Sequence, residues 1–322
     1  MVTSSKKRGI RLKLYLLILV SCSCFLGCIG TDFNDCTVEY NLYIRAEDNS
    51  GNDISTDSDL TDGYLYLFNN YNEFEEKHYI SHRAISMHEP IQLTICPNKS
   101  YKVVAWVNSS IGKMIDFNPA SLLAVNKVFF LPEGEEYKFI QSDIFQGNNR
   151  IPLYDADSGV YSDELIVRRR LSAIHVSVKG INPDHNPEDY RVEIHGGFYR
   201  AFNFESKPCE PTIHINKYKS NTEWAAYNNL LVMPKALKVA PLEPNEPFEV
   251  QLFYQDKLIR QFNKDHIGHP ICPQAGERMN ILIDMRQQLG DFDGEDNDPQ
   301  DANLTVLVRV NNWNSIELWE EW

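Results

Sequence analysis

Hydrophobic and polar residues alternate in short runs along most of this chain. Val38, Tyr40, Leu42 and Ile44 are separated by Glu39, Asn41 and Tyr43, the period of two that places successive side chains on opposite faces of a strand. Tyr64 to Phe68 and Ile91 to Cys96 continue in kind. Pro97-Asn98-Lys99-Ser100 is a cluster of turn formers, so Ile91 to Val107 reads as a hairpin with Tyr101 to Val107 as its second strand. Tyr71 to Tyr79, rich in Glu and aromatics, fits a loop or a short helix. Ile166, then Ile174, Val176 and Val178, Val192 and Ile194, Phe248 to Tyr254, Met279 to Met285, and Leu304, Val306, Val308 and Val310 repeat the strand pattern. With almost no 3.6-residue period, the expectation is all-β: antiparallel sandwiches, not an α/β architecture.

The polar, proline-containing stretch from Gln146 through Pro152 to Asp163 interrupts the strands near the middle. It divides the chain into an N-terminal β-sandwich domain over 28–155 and a C-terminal one over 156–322, in line with the domain count that the length suggests. No sequence repeat relates the two halves.

Residues 1–27 depart from the alternation. Lys6, Lys7, Arg8, Arg11 and Lys13 form a basic start, Leu14 to Leu26 an apolar run, and Gly27 stands before Cys28. The run is shorter than the ~20 residues of a membrane helix and matches the roughly 7 to 15 of a signal peptide. A small residue before a cysteine lets a peptidase reach the bond, and the thiol then carries diacylglycerol as a thioether. Cys28 is the expected lipidation site, although Phe25 is an unusual start to the motif. Cys22, after Leu19-Val20-Ser21, is the alternative, with an apolar run of only about seven residues before it. Two or three acyl chains at about 0.8 kcal/mol per buried methylene hold a protein on a membrane effectively for good.

Removal of that segment takes away five basic and no acidic residues, which leaves 26 basic against 45 acidic side chains and a net charge of −19. A phosphate backbone would be repelled, so nucleic acid is not an expected partner. Beyond Cys28, the cysteines Cys36, Cys96, Cys209 and Cys272 remain. An even number in an exported chain fits disulfides, with Cys36–Cys96 and Cys209–Cys272 the local pairing, while four buried thiols are the competing reading.

Catalytic or metal chemistry finds little support. His266, His269 and Cys272 lack a fourth zinc ligand, and His78 and His82 lack the neighbouring glutamate of a metalloprotease helix. No nucleophile elbow or phosphate-binding glycine loop is present, and the acidic run Asp291 to Asp298 misses the EF-hand spacing. No cofactor or metal is expected. Paired carboxylates of a glycoside hydrolase leave no local spacing to read. Trp106, Trp224, Trp313, Trp319 and Trp322 suggest either core packing or sugar platforms, which keeps a surface glycan-binding lipoprotein as the alternative function. Arg168-Arg169-Arg170, in strand geometry, is expected to face solvent.

Cys28-Ile29, Asp32 and Asp35, and Cys36 leading directly into a strand resemble the mature start of the FimB-type accessory fimbrial lipoproteins of Bacteroidetes. Leu93 to Val107 resembles that family's hairpin, whose second strand carries a Tyr-x-Val-Val-Ala-Trp pattern, Ser142 to Phe145 followed by Val167 to Val176 its domain junction, and Asn303 to Asn314, with Val308 to Asn314, its closing strand. The resemblance implies two tandem transthyretin-like β-sandwich domains, attachment to the outer membrane through Cys28, and a place at the base of a fimbria as anchor or accessory assembly subunit. It implies fimbrial stalk subunits (pilins) and membrane lipid as partners, strand complementation between subunits, and no catalytic residues. Ile316 and Leu318 alternate with charged residues before Trp319 and Trp322, so the tail is the expected subunit contact.

Overall fold

The computed structural model describes residues 37–108, 115–130, 143–153, 161–182, 184–219, 225–227, 230–232, 236–240, 247–285 and 305–312. It is built almost wholly of strands. The first sheet collects β1 (Val38–Glu47), β2 (Gly63–Phe68), β3 (Phe74–Ile80), β4 (Ile91–Ile95), β5 (Tyr101–Val107), β8 (Phe145–Ile151) and β9 (Tyr161–Arg169), in the order β3-β2-β5-β8-β9-β1-β4. β8 and β9 are joined only at Phe145↔Arg169 and Gln146↔Arg168. Past that corner the sheet splits into two layers, β3-β2-β5-β8 and β9-β1-β4. Tyr40, Leu42 and Ile44 of one layer and Leu65, Leu67, Val103, Ala105 and Val107 of the other enclose a single core. Gly147 allows the close approach of β8 to β9 beside that corner: a Cβ there would overlap the Ile166 carbonyl oxygen. Gly147→Ala is expected to cost about 1–3 kcal/mol as an overpacked substitution, measurable as a lower urea midpoint at unchanged slope.

A loop from Asp48 to Asp62 and a short helix, α1 (His82–Ser86), close this core with Leu60 and Ile85. Ser81 caps α1 by accepting a hydrogen bond from the Ala84 N–H, which satisfies one of the amides that a helix start leaves unpaired.

The other half is made of two further sheets. One runs β13 (Ala225–Tyr227), β14 (Leu230–Val232), β10 (Ser172–Lys179), β18 (Glu277–Asp284), β19 (Thr305–Asn312), with β15 (Leu237–Val239) also on β10. The other runs β17 (Lys257–Phe262), β16 (Glu249–Tyr254), β11 (Tyr190–Asn203), β7 (Lys127–Phe129), β6 (Ile115–Asp116), with β12 (Pro208–Lys219) also on β11. Ile174, Val176 and Val178 of the first sheet meet Val192, Ile194, Val250 and Leu252 of the second in one core, the alternating inward faces of a sandwich.

Four sequence expectations change. Ile91 to Val107 is not a hairpin: β4 pairs with β1 and β5 with β2 and β8. The 97–100 turn therefore carries the chain from one layer to the other, because Leu93 and Val103 must face the same core from opposite sides. The expected boundary at 155/156 falls inside the first sandwich, since β9 supplies Leu165 and Val167 to its core and pairs with β1 over eight residues. The crossing comes at Arg170–Leu171. Phe74–Ile80 is an edge strand, neither loop nor helix. Not every pairing is antiparallel, because β1–β9 and β10–β18 run parallel.

Candidate anchoring site

The anchor role that the resemblance implies would need two halves held together and a place for a partner, so the junction, the strand that leads from the N-terminal segment, and the free sheet edges are the relevant geometry. At the junction, β2 and β5 are buried on both faces. Leu65 and Leu67 point into the first core, and Tyr66, Phe68, Val104 and Trp106 point the other way, against Val128, Phe130, Phe202 and Phe204. Double-sided burial explains why Tyr64 to Phe68 and Val103 to Val107 read as near-continuous apolar runs. Trp106 is fully buried and stacks on Phe202 with ring centroids 6.3 Å apart and 26° between planes. Tyr66 and Phe204 meet edge to face at 4.8 Å. Burial pushes the Tyr66 phenol far above its ordinary pKa, so it stays neutral in this apolar setting.

The first half of the sequence also lends strands to the second. β7, from the first half of the sequence, pairs with β11 at Ala201↔Phe129, Phe202↔Val128 and Asn203↔Lys127. Asn49 donates through Nδ2 to the Ala275 carbonyl at 2.8 Å.

A buried charge cluster pins the crossing itself. Asp143, whose side chain is 1 % exposed, receives Arg169 Nε at 2.9 Å on one oxygen and lies 2.6 Å from Lys238 Nζ on the other. Arg169 comes from β9 and Lys238 from β15, so one carboxylate ties the first sandwich to the second. The Arg169 guanidinium reaches Asp57 at 3.5 Å and sits 4.9 Å over the Phe145 ring. Arg170 donates from Nη2 to the Ser206 carbonyl at 3.0 Å. The expectation that Arg168 to Arg170 face solvent is corrected: Arg168 does, while Arg169 is buried and Arg170 is turned to the junction. A single carboxylate some 25 residues upstream leaves no local signal for this.

On the outer face of β1 and β9 the charges form a ladder. Arg45 Nε lies 3.0 Å from Glu164 and its Nη2 2.7 Å from Glu47, and Arg168 pairs with the other Glu47 oxygen.

The first sheet has two edges. β3 carries Glu75, Glu76 and Lys77, exposed, opposite a bulge between Leu67 and Phe68, the charges and irregularity with which edges resist unwanted pairing. β4, Ile91-Gln92-Leu93-Thr94-Ile95, has no charge, no proline and a regular register with β1, and among the described residues it pairs on that side alone.

Cys22, Cys28 and Cys36 lie outside the described residues, as do Ile316, Leu318, Trp319 and Trp322, the remaining tryptophans Trp224 and Trp313, and the acidic run Asp291 to Asp298. Cys96 directly follows β4, and its N–H donates to the Tyr101 hydroxyl at 3.1 Å. Cys209 is a half-buried thiol on β12 with no disulfide, and Cys272 lies buried in the loop before β18; burial raises the pKa of both. The Cys209–Cys272 bridge is therefore not made here. His269 faces Asp265 at 3.4 Å, and among the described residues no group of three or more His, Cys, Asp or Glu side chains is placed to hold a metal ion.

Residues 33–319 match the family described as fimbrillin-A associated anchor proteins Mfa1 and Mfa2. The chain is 22 % identical over 315 residues to the major fimbrium anchoring subunit FimB of Porphyromonas gingivalis, covering 95 % of this chain and 97 % of that protein. The fold is similar to that of the fimbrial anchor protein Mfa2 from Porphyromonas gingivalis, with a TM-score of 0.59 and 12 % identity over 86 % of this chain and 98 % of the other. It is also similar to that of a candidate adhesin from Bacteroides ovatus, with a TM-score of 0.60 and 10 % identity over 89 % and 99 %. The matched family is one of structural anchors and not of enzymes. With nearly its whole length after the N-terminal segment aligned to that pattern, the chain belongs to the family of fimbrillin-A associated anchor proteins Mfa1 and Mfa2.

Proposed function

We propose that this protein is a lipid-tethered fimbrial anchor of the outer membrane, joined to the bilayer by acyl chains on Cys28, with Cys22 the alternative, and to pilin subunits through its folded halves. The observation that carries this reading is the family match over residues 33–319, supported by the alignment with an anchoring subunit across almost the full length of both chains. The junction suits the task. An aromatic core, a shared sheet and a buried ion cluster join the two sandwiches, so tension does not have to pass through a slack linker.

The pilin contact is placed on two elements. Among the described residues the outward N–H and C=O groups of β4 meet no partner strand on this uncharged edge, the template on which an extended partner strand pairs. The tail with Ile316, Leu318, Trp319 and Trp322 is the second. Truncation after Trp313 that leaves filament attachment unchanged would remove the tail from the contact.

The reading is tested in cells that carry the single replacements Cys28→Ser and Cys22→Ser. Metabolic labelling with palmitate is expected to be lost in Cys28→Ser, and fimbriae are expected to move from the cell fraction to the medium. Full labelling of both variants, or fimbriae retained by cells that lack the protein altogether, refutes the proposal.

A further inference from the structure

We infer that the pairing of β1 with β9 is a mechanical clamp, built so that tension between the N-terminal tether and the second half of the molecule loads it in shear. The direction of the load rests on the tail contact of the anchoring reading above; the clamp follows from topology alone.

β1 and β9 run parallel over eight residue pairs, from Tyr40↔Tyr161 to Glu47↔Arg168. Parallel strands begin at the same end. The chain that precedes Val38 thus leaves β1 at one end of the pair, and the chain that follows Arg169 leaves β9 at the other and enters β10 at Ser172. A pull between those two exits runs along the strands and in opposite senses on each. Inter-strand hydrogen bonds lie across that direction, so the whole row is strained together and none can open first. Had the pair been antiparallel, both exits would lie at one end and the row would open one bond at a time.

Three features raise the cost of the first slip. Tyr40, Leu42, Ile44 and Ala46 are fully buried, and a slide of one residue turns them all to the opposite face. The Arg45–Glu164 and Arg168–Glu47 contacts cross from strand to strand, so a slide separates each pair and leaves Glu47, 6 % exposed at its side chain, poorly solvated. β4 grips the opposite side of β1 from Val38↔Ile95 to Leu42↔Ile91. The far end of the load path is also secured, because Leu171 is buried in the junction core and its carbonyl accepts the Gly276 N–H at 2.8 Å.

The test is single-molecule force spectroscopy on the full mature chain with one handle at Thr37. In the first geometry the second handle is at position 274, exposed and two residues from the Gly276–Leu171 bond. In the second geometry it is at position 162, exposed at the start of β9, so the same pair is peeled from one end. Because forced rupture reports an unfolding rate and not an equilibrium stability, both are compared at equal loading rate. The first geometry is expected to require about two to five times the force of the second. The double replacement Arg45→Ala with Glu164→Ala is expected to lower the force in the first geometry and to leave the second nearly unchanged. Equal forces in the two geometries overturn the clamp, as does a lower force in the first. Neither result bears on anchoring, which is judged separately by retention of fimbriae in cells that lack the protein.

Discussion

Replacement of Trp106 by alanine lowers the stability of the folded chain by about 3–5 kcal/mol, the range for removing a buried aromatic side chain and leaving a cavity. The upper part of that range applies here because the site cannot collapse. Trp106 sits on β5 between β2 and β8, with its neighbours Ala105 and Val107 committed to the first core. Its ring is bounded by Phe202 and by Phe204, 6.1 Å away, which are themselves held by β11 and its turn into β12. Both ring neighbours are thus held in place by strands. Loss of the stacked pair removes a further ~0.5–1.5 kcal/mol beyond area burial. Trp106→Phe is expected to recover much of the loss, because it keeps an aromatic face toward Phe202. Urea unfolding followed by far-ultraviolet circular dichroism measures both. A loss below about 1 kcal/mol for alanine would mean that the aromatic junction contributes little and that the halves are held mainly by the shared sheet and ion pairs.

The second large effect is expected at Arg169. Arg169→Ala removes the guanidinium that lies between Asp143 and Asp57, and leaves Asp143 buried with Lys238 as its remaining ion-pair partner among the described residues. Breaking a buried pair from one side costs about 3–5 kcal/mol, because the surviving charge stays desolvated. Arg169→Lys retains the charge but not the fork that reaches two carboxylates at once, so it is expected to restore only part of the loss. The burial of the cluster adds a discriminating readout. A Debye length near 8 Å at physiological salt screens exposed pairs far more than buried ones, so the destabilisation by Arg169→Ala is expected to persist when salt is raised. The exposed side of the Arg45–Glu164 pair behaves in the opposite way, since solvent-exposed pairs contribute no more than about 1 kcal/mol and fade with salt. A destabilisation by Arg169→Ala that disappears at high salt would contradict the buried cluster.

How much of this was legible in the residues depends on range. β1, β5, β10 and β16 were readable because each buries at least one face, so Val38 to Ile44 or Phe248 to Tyr254 carry a period of two that needs no knowledge of partners. β3 was not, because Phe74–Ile80 is an edge strand with Glu75, Glu76 and Lys77 exposed; its polar residues guard an edge and so resemble a loop. The hairpin expected over Ile91 to Val107 failed for a different reason. Turn residues fix where the chain reverses, but the same Pro97 to Ser100 cluster serves a hairpin within one layer and a passage between two. The candidate anchoring elements divide in the same manner. The lipidation motif is contiguous and was visible, whereas the Asp143–Arg169–Lys238 cluster joins three residues that no spacing rule connects.

By itself the sequence determined the class of the protein: alternation without a helical period dictates sheets, and a basic start, a short apolar run and a cysteine dictate the expectation of export and lipid attachment. The order and resemblance of its motifs pointed to the fimbrial anchor family, which the match over residues 33–319 then showed. Tertiary structure alone decided that β9 completes the first sandwich, that β7 joins the second, and that Arg169 is buried. The physical reason is that burial of one face is written into each strand locally, while the choice of neighbour along its edges is made by backbone groups that are the same in every residue but proline.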